Sequence, residues 1–230
     1  MTHEFVTLSD GIGFVRLIDS MGSDLSVVRA ARVSHNAAWR AGENEGSDRR
    51  LINYLWKNNH TSPFEAVQFT FEIKAPIFIF RQWHRHRTWS YNEVSARYTE
   101  LAEEFYVPKP EDIGVQSKMN KQQRVTDGVA TASDTAAATI IKNSCEHAFA
   151  AYKALLSSGV PRELARSVLP VATYSHMFAS VNLLNLLKFL TLRCHSHAQF
   201  EIRVYAEAMR ELARVVAPVC VEAWQKNRTD

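Results

Sequence analysis

The sequence predicts an α+β fold in a single domain spanning 1–230, and three observations carry that expectation. The run VQFTFEIK at 67–74 alternates apolar and polar residues, as a half-buried strand does. Apolar residues at helical spacing dominate the second half, as in Ala137, Ile140, Ile141, Ala148, Tyr152 and Leu155. Neither an internal repeat nor a low-complexity tract divides the chain, and 46% hydrophobic residues among 230 supply an adequate core.

Short β-rich runs at 5–8 and 13–19 open the chain, and Ser23 and Asp24 then cap a helix carrying Val27, Val28 and Ala31. A second helix is expected over 47–59, with Leu51, Ile52 and Leu55 inward. Pro76 closes the strand and suits the first turn of a helix over 77–86, which sets Gln82, Arg85 and His86 on one face. Residues 108–132, with KPEDIG and NKQQR, are polar and read as a surface insertion. Core packing accounts for the apolar stripe that follows, and Gly159 suits its C-terminus. Pro161 starts a short helix through Val168, Pro170 stops it, and 171–181 reads as extended. The segments 182–192 and 196–216 are the last long helical patterns, and Pro218 marks a break before Trp224.

A formal net charge of +3 is too mild to require nucleic acid, yet it suits a small anionic substrate. Cys145, Cys194 and Cys220 form no C-x-x-C pair and leave an odd count, so no disulfide framework is expected and a reducing, cytoplasmic compartment fits. The opening MTHEFVTLSDG lacks the apolar run of a signal peptide, and no stretch approaches the roughly 20 apolar residues of a membrane span. No membrane partner is expected.

Charge is concentrated in one place. Between Arg81 and Arg97 stand four arginines, at 81, 85, 87 and 97, against the single acid Glu93, a surplus equal to that of the whole chain. Trp83, Trp89, Tyr91 and Tyr98 frame them. A solvated face would need no aromatics, whereas guanidinium groups set among aromatic rings suit a bound phosphate.

The order of motifs adds a resemblance. RHR at 85–87, then seven residues, then Ser95 within SARY, resembles the signature of the flavin-dependent thymidylate synthases. HTSPFE at 60–65, KAPIFIFRQW at 74–83, GVPRELARSVLP at 159–170 and LRCHSHAQFEI at 192–202 resemble further motifs of that family. The resemblance implies a mixed α/β domain with a central sheet and long helices, assembled as a homotetramer with sites where subunits meet. It implies reductive methylation of dUMP to dTMP, with 5,10-methylenetetrahydrofolate as carbon donor and NADPH-reduced FAD as hydride carrier.

Residue by residue, the resemblance implies that Gln82, Trp83, His84 and Arg85 contact the nucleotide, as do Glu93, Val94, Ser95, Ala96 and Arg97 of a binding loop, and Arg166. Hydroxyl, backbone N–H and guanidinium donors in that loop suit a phosphate monoester. FAD contacts are implied for Ser62, Arg85, His86, Arg87, Glu93, Asn182, Leu183, Leu184 and Lys188. Leu184 stands where the family often has arginine, and Lys188 where it often has a small amide. Gly11 and Gly13 lack the third glycine of a dinucleotide fingerprint, so side chains must hold most of the phosphate charge. Arg193 is implied to be catalytic, favouring ionisation at N3 of uracil, because a fixed cation stabilises the developing anion. In a shared site, Arg166 and Arg193 would serve a pocket completed by the Arg85 loop of another subunit.

Several competing readings are weaker. Cys194 beside His195 invites a nucleophile, but sequence neighbours point apart, and a free cysteine ordinarily fills a small apolar space. Ser95 has no evident base and reads as a ligand. The two H-x-H pairs suggest zinc, yet four nearby arginines repel a divalent cation, and i and i+2 on a helix diverge by about 200°. No metal is expected. A non-catalytic RNA-binding module would use similar arginines and aromatics, but it would be colourless and strongly salt-sensitive.

Overall fold

The computed structural model describes residues 4–8 and 10–228. The expectation of no signal peptide falls on MTHEFVTLSDG, whose residues 1–3 and 9 lie outside these. Among the described residues no helix is long and apolar enough to cross a membrane.

The architecture is α+β, as the sequence predicts. In chain order the first elements are strands β1 (Glu4–Val6) and β2 (Phe14–Met21), helices α1 (Asp24–Arg32) and α2 (Glu45–Lys57), strand β3 (Gln68–Pro76), helix α3 (Ile77–Trp83) and strand β4 (Ser90–Glu93). Next come α4 (Pro110–Ile113), β5 (Val115–Gln116), β6 (Arg124–Val125), α5 (Ala132–Ser157) and α6 (Arg162–Ala165). The chain closes with β7 (Tyr174–Asn182), α7 (Leu183–Arg193), α8 (Phe200–Val216) and α9 (Pro218–Lys226).

Five strands form an antiparallel sheet in the order β1-β2-β3-β7-β4. The alternation that predicts β3 decides its faces: Phe69, Phe71, Ile73 and Ala75 are buried, and the residues between them turn the other way. Along β7, which pairs with β3 from Gln68↔Asn182 to Pro76↔Tyr174, Met177, Ala179 and Val181 join the same core. Leu183, Leu186, Leu187 and Leu190 of α7 and Ile202, Tyr205 and Met209 of α8 cover that face.

Several expectations are corrected. The helix expected over 77–86 stops at Trp83, with His84 as its cap. His86 N–H donates to Trp83 O (2.9 Å) and Arg85 N–H to Gln82 O (3.4 Å), three-residue spacings that tighten and end the helix. Arg85 and His86 therefore follow α3 and do not share its face with Gln82. The stripe expected along α5 also turns: Ile140 is 66% exposed, while Cys145, Phe149 and Tyr152 are buried. Gly159 ends that helix as expected, at φ +80°, with Val160 N–H donating to Leu155 O (3.0 Å). The segment 196–199 stays outside α8, and Pro218 opens α9, so Trp224 lies within a helix begun by the proline. Strand β4 has too short a pattern to be read from sequence and was not expected. The stretch 108–132 holds α4 and a two-strand hairpin, β5 with β6.

Candidate active site

Strand β3 runs through Pro76 directly into α3, which carries Gln82 and Trp83 to the edge of the core. Trp83 is fully buried, its ring stacked on Phe189 of α7 with centroids 4.9 Å apart. Phe189 also meets His86 (4.8 Å) and Trp89 (5.2 Å), so one phenyl ring supports three residues of the arginine-rich segment. The Tyr91 hydroxyl donates to His86 O (2.8 Å) and Trp83 O (3.2 Å), fixing the turn above that floor. The indole N–H groups of Trp83 and Trp89 are buried without a partner among the described residues.

Arg193, the last residue of α7, closes onto this turn. Its Nε donates to His86 Nε2 (3.1 Å) and its Nη2 to Gln82 O (3.2 Å). Residues 107 and 111 positions apart thus meet within one chain. Burial, and then the Arg193 charge, lower the His86 pKa to about 4, so the imidazole is neutral near pH 7 and accepts the guanidinium's hydrogen bond. Burial also lowers the Arg193 pKa. Among the described residues no carboxylate forms a salt bridge with Arg193, Arg81, Arg85 or Arg87.

The 93–97 loop leaves β4, whose pairing to β7 runs from Ser90↔Ser180 to Glu93↔Met177. Val94 N–H donates to His176 O (2.8 Å), carrying the register one residue further. Ser175 Oγ donates to Glu93 Oε1 (2.6 Å), and His84 Nε2 stands 4.0 Å from the other carboxylate oxygen. The Ser95 hydroxyl accepts from Arg97 N–H (3.3 Å), and Ala96 is buried. Arg97 pairs with Glu163 at 3.5 Å, and Arg166 Nε donates to Glu163 O (3.3 Å), which brings the 159–170 motif to the loop. A cavity of about 300 Å³, lined in part by Val94, Thr99, Ser175 and His176, opens beside it.

These groupings can be set against known proteins. The Thymidylate synthase complementing protein family matches residues 16–219. The chain belongs to that family, the flavin-dependent thymidylate synthases. The enzyme of Treponema denticola bearing that name is 44% identical over 227 residues, covering 99% of this chain and 84% of its own. That of Thermus thermophilus is 45% identical over 215 residues, covering 94% and 76%. Among solved structures, the UMP/dUMP methylase PolB of Streptomyces cacaoi bound with 5-Br dUMP superposes with a TM-score of 0.85 at 42% identity, covering 94% of this chain and 96% of that one.

For a flavin-dependent synthase the expected flavin residues divide into two groups. Arg85, His86 and Arg87 share the turn above Phe189. Ser62 begins the 3-10 turn Ser62–Ala66, which meets α7 where Leu183 N–H donates to Val67 O (2.8 Å). Asn182 caps α7 by accepting from Asn185 N–H (2.9 Å), which leaves its amide NH2 as donor. Leu183 and Leu184 send their side chains into the core, and Lys188 is exposed.

The structure also bears on the weaker readings. Cys194 is buried, and burial pushes its thiol pKa up to about 11, away from the thiolate a nucleophile requires. Neither H-x-H pair lies inside a helix, contrary to the geometry argued from sequence: His84 caps α3, and His195 and His197 precede α8 with ring centroids 4.7 Å apart. Among the described residues no group of three or more His, Cys, Asp or Glu is placed to hold a metal ion. Sequence reasoning missed Tyr91 and Phe189 as supports and Gln199 as a partner of Gln82 (2.6 Å). Only the aromatic composition and the quoted QFE triplet could have drawn attention to them.

Proposed function

We propose that this enzyme converts dUMP, 5,10-methylenetetrahydrofolate, NADPH and a proton to dTMP, tetrahydrofolate and NADP⁺, with FAD as hydride carrier and Arg193 activating the uracil. The observation carrying this reading is the contact of Arg193 with His86 and Gln82. A half-buried guanidinium held by a neutral imidazole and a backbone carbonyl keeps its charge for something else. An anionic uracil ring suits it.

The residues present fit FAD. Among the described residues no carboxylate pairs with Arg85 or Arg87, so both offer guanidinium donors for a pyrophosphate, and the Asn182 amide and Ser62 hydroxyl add neutral donors. Bound and reduced by NADPH, the flavin supplies the hydride and mediates the carbon transfer. The protein's own part is positioning and electrostatics. Gln82, His84 and Arg85 flank the nucleotide, while Trp83, expected to touch it, is fully buried and supports them from the core. The 93–97 loop and Arg166 bind its phosphate, and Arg97 exchanges Glu163 for that phosphate. Arg193 stabilises negative charge on the uracil as N3 loses its proton, raising electron density at C5. Cys194 supplies no covalent attack.

The folate, the homotetramer and the cytoplasmic location belong to this proposal on the family's pattern. Exposed Ile140, Leu164 and Tyr98, at 66%, 62% and 81%, are the kind of surface that neighbouring subunits cover. UMP as an additional substrate is a second reading, favoured because a second PolB structure is bound with 5-Br UMP at a TM-score of 0.83. The purified protein is expected to show a flavin band near about 450 nm and to form dTMP from dUMP only with both co-substrates. A colourless protein, or dTMP formation without added folate, would overturn the proposal. Comparing kcat/KM for UMP and dUMP decides the second reading.

A further inference from the structure

The polar hairpin formed by β5 and β6 is tied to the site by a chain of side chains that the reaction scheme above does not use. Glu201, in the first turn of α8, is 2% exposed. A carboxylate so buried requires partners. Its Oε1 accepts from Arg124 Nη1 of β6 (2.7 Å) and from the Tyr106 hydroxyl (3.3 Å), and its Oε2 accepts from Gln199 Nε2 (2.8 Å). Gln199 Oε1 in turn accepts from Gln82 Nε2 (2.6 Å). Arg124 also lies over the Phe200 ring, 5.6 Å from its centroid, while Gln123 Nε2 donates to Ser196 O (3.3 Å). The hairpin thus grips the segment just before α8 as well as Glu201.

The chemistry of this chain fixes its direction. A carboxylate paired with a guanidinium only accepts hydrogen bonds, so Gln199 must turn its NH2 toward Glu201 and its oxygen toward Gln82. That oxygen calls for a donor, so Gln82 must answer with its own NH2. One N–H and the carbonyl oxygen of Gln82 remain open, in one orientation. Without Arg124 the Glu201 carboxylate loses its charged anchor and can turn away from Gln199, which frees both amides to reverse, so that Gln82 offers a mixture of donor and acceptor faces.

We propose that Arg124 is a positioning residue for the nucleotide, acting through Glu201 and Gln199 to fix the amide of Gln82. This rests on the reading of Gln82 as a dUMP ligand and adds a remote residue, from a segment that otherwise reads as surface insertion, that sets substrate affinity.

The test titrates dUMP into FAD-loaded enzyme for the wild type, Arg124→Ala, Gln82→Ala and the double variant. Arg124→Ala is expected to weaken dUMP about tenfold, raising KM for dUMP while kcat at saturation and flavin content hold, and Arg124→Lys is expected to restore most of the loss. In the Gln82→Ala background the same change is expected to add less than about twofold, because contacts in one chain are not additive. Unchanged dUMP affinity in Arg124→Ala, or an equal loss in both backgrounds, would overturn the inference. Intact dUMP binding in Gln82→Ala would instead overturn the nucleotide reading of Gln82 itself. If Arg124→Ala does not fold, Glu201→Gln, which keeps the shape and lets the amide order reverse, makes the same comparison with the same expected loss.

Discussion

Arg193 enters the site from the last turn of a buried helix, held by His86 and Gln82, whereas Arg85 and Arg87 stand in a turn with no carboxylate paired to them among the described residues. Arg97 is a third case, paired with Glu163. On the proposed function, one cation is fixed before any ligand arrives, two await an anion, and one trades a partner. Chemistry needs the first kind, because a preorganised charge costs no reorganisation as the transition state forms. Binding can use the others, since an incoming phosphate supplies the missing partner.

Removing the fixed cation should have the largest effect. Arg193→Ala is expected to cut dTMP formation by about a thousandfold with flavin still bound, measured by single-turnover assay beside an absorption spectrum. Removing its floor tests stability instead: Phe189→Ala is expected to cost about 3–5 kcal/mol in urea denaturation, because Trp83, Trp89 and His86 all lose a packing partner. Removing a waiting cation is milder. Arg85→Ala should weaken both FAD and dUMP by about tenfold, read by titration, and unchanged affinities would take it out of a shared site.

Acid should loosen the fixed cation while leaving the waiting ones charged. His86 has a folded pKa lowered to about 4, below its unfolded value of about 6.5. Its contribution to stability is therefore complete above the unfolded value and lost as pH falls toward the folded one. Thermal denaturation of the wild type should lose stability across that window more steeply than His86→Asn. The smallest effect is expected for Cys194→Ala, which should keep near wild-type turnover, since a buried, protonated thiol does no covalent work.

Much of this was legible in the sequence, and what was not has physical reasons. Alternation predicts β3 because one face is buried in the core while the other is not. Pro76 and Pro161 mark ends because proline fixes φ and lacks an N–H, and Gly159 because glycine alone takes a positive φ without penalty. The RHR segment shows in composition because arginines clustered among aromatics are unusual. The early end of α3 was not legible: Tyr91 and Arg193, from other parts of the chain, take the carbonyls that a longer helix would use. The exposure of Ile140 is likewise invisible to periodicity, which reports an apolar face without saying what it packs against. Nothing in the polar run 108–132 announces that Arg124 reaches the buried Glu201.

The fixed cation is tested most directly by nitrogen NMR of N3-labelled dUMP bound to the FAD-loaded enzyme, titrated upward from neutral pH. If Arg193 stabilises the uracil anion, N3 deprotonates at lower pH in the wild type than in Arg193→Ala, whose bound dUMP titrates like the free nucleotide. Identical titrations in the two proteins would contradict it.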